Sequence, residues 1–144
     1  QAFIDAYFGR YPGIRSFIDR CIAEARERGF AQTILGRRRP IPELTSRNRG
    51  QVSFGERIAV NTVVQGSAAD LIKRAMIDIH REIAAGRLAA RMVLTVHDEL
   101  VFELAEREVE AAAKVIRAKM ESPFQLKVPI VADIAWGKTW ADAK

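Results

Sequence analysis

Apolar side chains return every three or four positions in several stretches of the chain, which is the spacing of an amphipathic helix. The first stretch covers residues 14–28 and ends before Gly29. Cys21 lies on the apolar face of this predicted helix, so we expect its thiol to pack in a core. The clearest stretch covers residues 67–86, and a third covers residues 106–120. The pattern therefore predicts three helices that each bury one face.

A fourth helix is predicted from a serine that is followed three positions later by an acid, which is the spacing of a capping box. Ser53 with Glu56 places the start of this helix, and three consecutive β-branched residues, 62–64, weaken its end. Ser67 with Asp70 repeats the capping spacing and marks a new start. We therefore predict two separate helices here, with a break just before Ser67.

Alternating apolar and polar side chains, or short apolar runs between turn residues, predict the strands. Residues 30–35 form one run, and residues 128–136 alternate in a last predicted strand. Residues 91–96 and 100–104 predict a hairpin of buried strands, with His97-Asp98-Glu99 at its tip. Helices and short, mostly antiparallel strands together predict an α+β fold, in which amphipathic helices pack on a small sheet.

The length of 144 residues, with 49% hydrophobic and 28% charged residues, fits a single globular segment covering residues 1–144. No apolar run is long enough for a membrane span and no signal peptide is visible, so we expect a soluble intracellular protein without a membrane partner. One cysteine excludes an internal disulfide, and two histidines are too few for a Cys/His zinc cage. Because Gln1 leads directly into helix-like sequence, we interpret the chain as a fragment of a longer protein.

The net charge of +5 comes entirely from the first part of the chain. Residues 1–57 contain 11 basic and 6 acidic side chains, whereas residues 58–144 contain 12 of each. All 11 of those basic residues are arginines, whose planar guanidinium suits phosphate. The distribution favours a nucleic-acid or phosphate partner, although a solvated basic surface accounts for the charge equally well.

Three long polar side chains, those of Arg57, Asn61 and Gln65, are spaced four residues apart. If one helix continues through all three positions, they form a stripe on one face. Each of them can donate to the N3 and O2 acceptors that every base pair presents in the minor groove. The stripe therefore predicts DNA contacts that are independent of sequence, and an ordinary solvated helix face is the alternative interpretation.

The tip His97-Asp98-Glu99 offers carboxylates on a stiff support, an arrangement that suits a divalent metal opposite phosphate oxygens. Neighbouring strand residues point to opposite faces, so we expect Asp98 and Glu99 not to bind one metal together. A two-metal site would then need another carboxylate from elsewhere. A simple polar turn is the alternative. A histidine-aspartate metal hydrolase is disfavoured, because only His80 is left to add a histidine.

Three segments and their flanks occur together in the chain. The segments are Glu56-Arg57-Ile58-Ala59-Val60-Asn61, Gln65-Gly66-Ser67-Ala68-Ala69-Asp70-Leu71-Ile72-Lys73 and Val96-His97-Asp98-Glu99-Leu100. The flanks are Tyr7-Phe8, Tyr11-Pro12, Thr33 with Gly36-Arg37-Arg38-Arg39, Val128-Pro129, Trp136-Gly137 and Trp140. Together they resemble, over essentially the whole chain, the C-terminal part of the polymerase domain in DNA polymerase family A, the bacterial DNA polymerase I family.

The resemblance implies a role for the hairpin tip. The tip is similar to motif C of the family's palm, where the aspartate, here Asp98, binds the catalytic Mg²⁺ ions. It implies that Glu99 assists nearby and that His97 lies against the primer terminus. Two Mg²⁺ ions are expected in the complete active site, and the second aspartate ligand is expected outside this chain.

The resemblance also implies which residues contact DNA. Arg57, Asn61 and Gln65 match family positions that contact primer and template in the minor groove, and Arg37 and Arg38 match a basic turn near the DNA. The implied fold is part of the fingers and the palm of a polymerase. The implied partners are primer-template DNA, a deoxynucleoside triphosphate (dNTP) and the N-terminal remainder of the same polymerase, in the cytoplasm at the nucleoid.

Two positions depart from the family pattern. Val63 stands where the family usually has proline, and Ser67 stands where it usually has threonine. We expect neither change to matter, because valine restores a backbone donor and serine keeps the hydroxyl. We also expect the 144 residues alone to be inactive. The alternatives to a polymerase segment are a non-catalytic basic DNA-binding module and a degenerate scaffold.

Overall fold

The structure is a computed structural model that describes residues 2–143. Its residues form two compact units, of which the first ends at Asp70 and the second begins at Leu71. The helices are α1 (Ala2–Arg10), α2 (Pro12–Arg28), α3 (Arg49–Ala84) and α4 (Val109–Glu121). The strands are β1 (Phe30–Gln32), β2 (Arg38–Pro40), β3 (Arg91–Val96) and β4 (Glu99–Glu103). Within the described range, no helix has the length and apolar composition that a bilayer crossing requires.

Helix α2 confirms the first predicted helix. It ends at Gly29, whose φ of 76° is left-handed and whose N–H donates to the carbonyl of Ala25 at 2.9 Å. Glycine adopts this conformation at no steric cost, which explains why the helix ends there. Cys21 and Ala25 are buried on the inner face, and burial raises the pKa of the Cys21 thiol above its usual value. The expectation that Cys21 packs in a core is confirmed.

The predicted strand over residues 30–35 is shorter than expected. Strand β1 covers only its first three residues and pairs antiparallel with β2, so that Ala31 lies opposite Arg39. The chain reverses after β1 because Gly36, at a φ of 87°, donates its N–H to the carbonyl of Thr33 at 2.9 Å. The resulting turn, residues 33–37, leads directly into the arginines of β2.

The core of the first unit joins α2, the small sheet and α3. Its buried members are Ala25, Ala31, Ile41 and Ala59, with Leu44, Ile58 and Val63 packed against them. Three of the four buried side chains are alanines, so the backbones approach closely. The two-stranded sheet is therefore held directly against α3.

Helix α3 contradicts the predicted break before Ser67, because a single helix of 36 residues runs through it. A serine at a helix start accepts a hydrogen bond from the backbone. Here the Ser67 hydroxyl instead donates to the carbonyl of Val63, one turn earlier in the same helix. Val63 also carries the backbone N–H that a proline would lack. The prediction of two helices was wrong because the capping spacing also occurs inside helices.

The start of α3 was also predicted too late. Ser53 lies inside the helix, and its hydroxyl accepts from Arg57 Nη1 at 3.5 Å. Asn48 precedes the helix, and its Oδ1 accepts from the N–H groups of Gly50 at 2.8 Å and Gln51 at 3.4 Å. This is the cap that the first turn requires.

The end of α3 agrees with the prediction at Gly86, whose φ is 68°. Just before it, Glu82 accepts from Arg87 Nε at 2.6 Å and from Lys119 Nζ at 3.0 Å. Hydrogen bonds from Arg87 and then Lys119 lower the pKa of the Glu82 carboxyl to about 2, and Glu82 in turn raises the pKa of Arg87. This ion cluster ties α4 to the end of α3.

The second unit confirms the predicted hairpin and the helix that follows it. Strands β3 and β4 pair antiparallel, with a bulge between Met92 and Leu94, and α4 ends before Pro123 as expected. The core consists of Ile79, Leu88, Ala112 and Ile116. One face of the hairpin packs against it, through residues that include Met92, Leu100 and Phe102. The other face leaves Val93 and Leu94 exposed, so the strands are covered on one side only.

The predicted last strand, residues 128–136, is wrong, because no strand follows α4 in the described chain. The alternation of apolar residues is present, and Ile130, Ala132 and Ile134 are half-buried, but Val128 and Trp136 at the two ends of the segment are exposed. A strand is stabilised by hydrogen bonds to a neighbouring strand, and no described strand pairs with this segment. A correct alternating pattern therefore did not suffice.

Candidate nucleic-acid interface and metal-binding turn

The polar stripe of the sequence lies on one continuous helix. Because α3 does not break, one face of the helix carries Arg57, Asn61 and Gln65 on successive turns. The side chains of all three residues are exposed. The guanidinium of Arg57 lies along the helix, 5.8 Å from the ring centre of Phe54. The condition on which the predicted stripe depended is therefore met.

A pocket of about 220 Å³ in the first unit brings the stripe and the basic turn together. It is lined by Thr33, Arg37, Arg38, Arg39, Asn61, Thr62, Gln65, Gly66 and Ala69. Asn61 and Gln65 of α3 thus share a wall with three consecutive arginines, while Arg57 lies outside the lining. The sequence presented these two groups as separate candidates, and only the fold joins them.

Arg39 lines this pocket but was not among the predicted site residues. Its signal in the sequence was the run of three arginines, of which only Arg37 and Arg38 were selected. Strand β2 carries Arg38 and Arg39, and it is held by pairing with β1. The guanidinium of Arg38 lies 4.8 Å from the ring centre of Phe30, a cation–π distance.

Arg37 differs from its two neighbours because its guanidinium is bound within the protein. Its Nε and Nη2 both lie 2.9 Å from Oδ1 of Asp70, and Nη2 also donates to the carbonyl of Gly66 at 2.9 Å. Asp70 is only 7% exposed, and its second oxygen accepts from the Thr33 hydroxyl. The basic turn is therefore fixed to α3 through a buried carboxylate.

The pocket wall also contains a hydroxyl without a partner. Thr62 is 8% exposed, and its Oγ1 has no hydrogen-bond partner among residues 2–143. A buried polar atom in this state costs stability. Thr62 was recognised in the sequence only as part of a β-branched run, and that pattern gives no indication of its place in the pocket.

The hairpin tip is a two-residue turn formed by His97 and Asp98. His97 has a φ of 54°, a left-handed conformation that is uncommon for a residue other than glycine. Glu99 was predicted in the turn but is the first residue of β4, paired with Val96. All three side chains of the predicted tip are exposed.

The tip offers carboxylates but an incomplete set of metal ligands. Within residues 2–143, no three His, Cys, Asp or Glu side chains are grouped so that they could hold a metal ion. Asp98 is chemically suitable for Mg²⁺, which prefers carboxylate oxygens and retains several waters. One carboxylate is suitable as a single ligand but does not complete a metal site by itself.

Comparisons with known proteins agree over nearly the whole chain. The model of the family described as DNA polymerase family A matches residues 1–142. DNA polymerase I of Geobacillus stearothermophilus is 45% identical over 142 residues, which are 99% of this chain and 16% of that protein. DNA polymerase I of Bacillus subtilis is 46% identical over 143 residues, again 99% and 16%. The chain thus spans about a sixth of the length of these relatives.

A solved structure is similar in the same range. It is the POL domain of Pol1 from M. smegmatis in complex with DNA primer-template and dNTP. The two structures superpose with a TM-score of 0.93 at 40% sequence identity, over 97% of this chain and 25% of the other. The similarity therefore includes both units and the irregular segment after α4.

Proposed function

The chain belongs to DNA polymerase family A, and from this membership we propose that it is the C-terminal portion of a polymerase domain that extends a DNA primer. In that reaction the primer 3′-hydroxyl attacks the α-phosphate of a dNTP selected by the template, and pyrophosphate leaves. The observation that carries the proposal is Asp98, an exposed carboxylate at the tip of a β-hairpin in a chain of this family.

Asp98 is proposed to hold Mg²⁺ together with an aspartate from outside these 144 residues. When bound there, Mg²⁺ activates the 3′-hydroxyl and neutralises charge on the phosphates. Asp98 lies in the turn between β3 and β4, and both strands pack on the core of the second unit. The backbone of Asp98 is therefore held by a strand on each side. Glu99 is the first residue of β4 and is proposed to assist Asp98 from the neighbouring position. His97 is proposed to orient the primer end.

The first unit is proposed to bind primer-template DNA. Arg57, Asn61 and Gln65 reach into the minor groove and donate to acceptors that all base pairs share. Arg38 and Arg39 face the same pocket and supply positive charge for the backbone phosphates. The arginine excess of this part of the chain supports the assignment.

The remaining partners follow from the same reaction. A dNTP is the second substrate, and the rest of the same polymerase supplies the second aspartate and the nucleotide site. As the location we propose the cytoplasm, at the nucleoid.

The test is Asp98→Ala in the polymerase that contains this segment. We expect the rate of primer extension to fall by at least about 100-fold, because one metal ligand is lost, while the Kd for primer-template DNA changes by less than about threefold. The matched control is Glu103→Gln, an exposed acid of the same hairpin that pairs with Arg91. A near-normal extension rate in the Asp98 variant would refute the proposal.

A DNA-binding module without catalysis is the second candidate. The arginine-lined pocket of the first unit supports DNA binding in both candidates and therefore does not distinguish them. The two candidates differ in the activity expected of the intact wild-type protein that contains this segment. If primer-template DNA binds but no nucleotide is added under any divalent metal, the binding module is the better account.

A further inference from the structure

We propose that Asp70 is a positioning residue for the DNA-binding pocket, and that Arg37 is part of its clamp and makes no contact with DNA. The inference rests on the proposed DNA binding of the first unit. It assigns a task to a buried acid at the centre of an arginine-rich surface. It also separates Arg37 from Arg38 and Arg39, which follow it directly in the sequence.

One carboxylate holds both ends of the turn formed by residues 33–37. Asp70 accepts from Thr33 at the start of the turn and from Arg37 at its end. The Thr33 hydroxyl also accepts from the backbone N–H of Arg37 at 3.1 Å, and the backbone N–H of Thr33 donates to the carbonyl of Arg37 at 2.9 Å. Thr33 is 4% exposed, so water does not compete for these bonds.

Helix α3 supplies further contacts that make the attachment specific. Ser67 Oγ accepts from the N–H of Ile34 at 3.0 Å, and the Gly66 carbonyl accepts from Arg37 Nη2. Two nitrogens of the Arg37 guanidinium, Nε and Nη2, are thus directed at α3. A contact from Arg37 to phosphate would have to compete with a buried carboxylate that would then lose its cation.

The clamp determines where the next two arginines lie. Arg38 and Arg39 leave the turn into β2 and line the pocket opposite Asn61 and Gln65. Asp70 is not one of the lining residues, so its influence on a bound ligand passes through the turn. Without the clamp, β2 would still pair with β1 and the sheet would keep its core contacts with α3, but the turn that leads into β2 would lose its hydrogen bonds to the Asp70 carboxylate.

A positioning role for Asp70 and simple electrostatics predict opposite effects of an Asp70 substitution on DNA affinity. Asp70→Asn removes a negative charge beside a DNA-binding surface, which by charge alone strengthens DNA binding. If Asp70 positions the arginines, the same change weakens DNA binding. The sign of the effect therefore decides between the two.

The experiment measures the Kd for primer-template DNA over a range of salt concentrations, in the intact polymerase. We expect Asp70→Asn to bind about tenfold more weakly and the slope of log K against log salt to fall by about 1 to 2, although no cation has been removed. We expect kcat at saturating DNA and KM for dNTP to stay within about twofold. The matched control is Asp19→Asn, an exposed acid of α2 with the same change in charge, which should bind as tightly as wild type or slightly more tightly.

Arg37 provides a double-mutant cycle. We expect Arg37→Ala to weaken DNA binding, and the variant that combines it with Asp70→Asn to be no weaker, because both changes break one unit. Additive losses would overturn the inference, since they would mean that Arg37 contacts DNA independently. Asp70→Asn binding at least as tightly as Asp19→Asn would also overturn it.

If the Asp70→Asn variant does not fold, two variants of Thr33 test the same clamp. Thr33→Ser keeps the hydroxyl on Asp70, and Thr33→Val removes it without a change in charge. We expect Thr33→Val to bind DNA more weakly than Thr33→Ser, and equal binding would overturn the inference. Failure of the proposed DNA binding is distinguishable, because wild-type protein would then not bind primer-template DNA, and failure of the proposed catalysis is distinguishable, because wild-type protein would then bind this DNA without extending it.

Discussion

Gly66 and Thr33 are in contact with no space for a side chain between them. A Cβ atom on Gly66 would lie 2.8 Å from Cγ2 of Thr33, closer than real Cβ contacts. Gly66 is a helical residue of α3 and Thr33 belongs to the turn of the small sheet. Glycine in mid-helix is unfavourable by itself, so its value here is the close approach that it permits.

Gly66→Ala is expected to lower the free energy of unfolding by about 1 kcal/mol. The clash with Thr33 costs about 1–3 kcal/mol, and the better helix propensity of alanine recovers about 1 kcal/mol. Urea denaturation measures the difference. DNA affinity should fall in parallel, because the displaced turn carries the pocket arginines.

A second substitution identifies the cause. Thr33→Ser removes the methyl group that clashes and keeps the hydroxyl that Asp70 accepts from, so adding it to Gly66→Ala should restore most of the lost stability. Gly13→Ala is the matched control, because a Cβ there has nothing within 4 Å. Equal losses at the two glycines would contradict the packing explanation.

Gln65→Ala is expected to reduce primer extension, because one minor-groove hydrogen bond, worth about 1–3 kcal/mol, is lost. Steady-state extension from paired and mismatched primer ends measures it. Val64→Ala is the control, since Val64 is an exposed neighbour that is off the stripe. Unchanged extension from both kinds of primer end would argue against the minor-groove role.

His97→Gly is expected to separate stability from activity. The left-handed φ of 54° costs a histidine about 1 kcal/mol, and glycine avoids this cost. His97→Ala loses the same imidazole but keeps the strained backbone, so both variants should lose activity alike while the glycine variant unfolds at higher urea. Equal midpoints for the two variants would show that the turn is unstrained.

Glu82 is expected to contribute stability that depends on pH. Its folded-state pKa of about 2 is below the usual 4.5, so the unfolded chain takes up the proton first as the pH falls. The contribution is full above about pH 5 and is lost as the pH falls from there toward 2. The measurement is the difference in unfolding free energy between wild type and Glu82→Gln across this range. A difference that stays constant down to pH 3 would be inconsistent with the ion cluster.

Local patterns predicted the elements whose stabilising contacts are close in sequence. Helix α2 ends at Gly29 and α4 ends before Pro123, because the conformations of glycine and proline are set within one or two residues. The hairpin was predicted because two apolar runs flank a short polar turn. Which face of the hairpin is covered was not predictable, since it depends on α3 and α4.

Local patterns failed where a distant contact decides. Ser67 looked like a cap, but its hydroxyl bonds to the preceding turn of α3 and to Ile34, 33 positions away. Residues 128–136 alternate as a strand does, yet a strand forms only against a partner that local sequence does not specify. In both cases the residue types were identified correctly and the partners were not.

The sequence by itself determined the family and the hairpin turn with Asp98, because residue identity and spacing specify these directly. It also specified the spacing of Arg57, Asn61 and Gln65, but the fold decided that one helix continues through all three. Only the tertiary structure joined the stripe to the three arginines and showed that Arg37 is held by Asp70. A hydrogen bond between residues 33 positions apart leaves no periodic trace in the chain. The physical reason is that spacing along a chain records local geometry, whereas a pocket is formed by packing between segments whose separation in sequence is arbitrary.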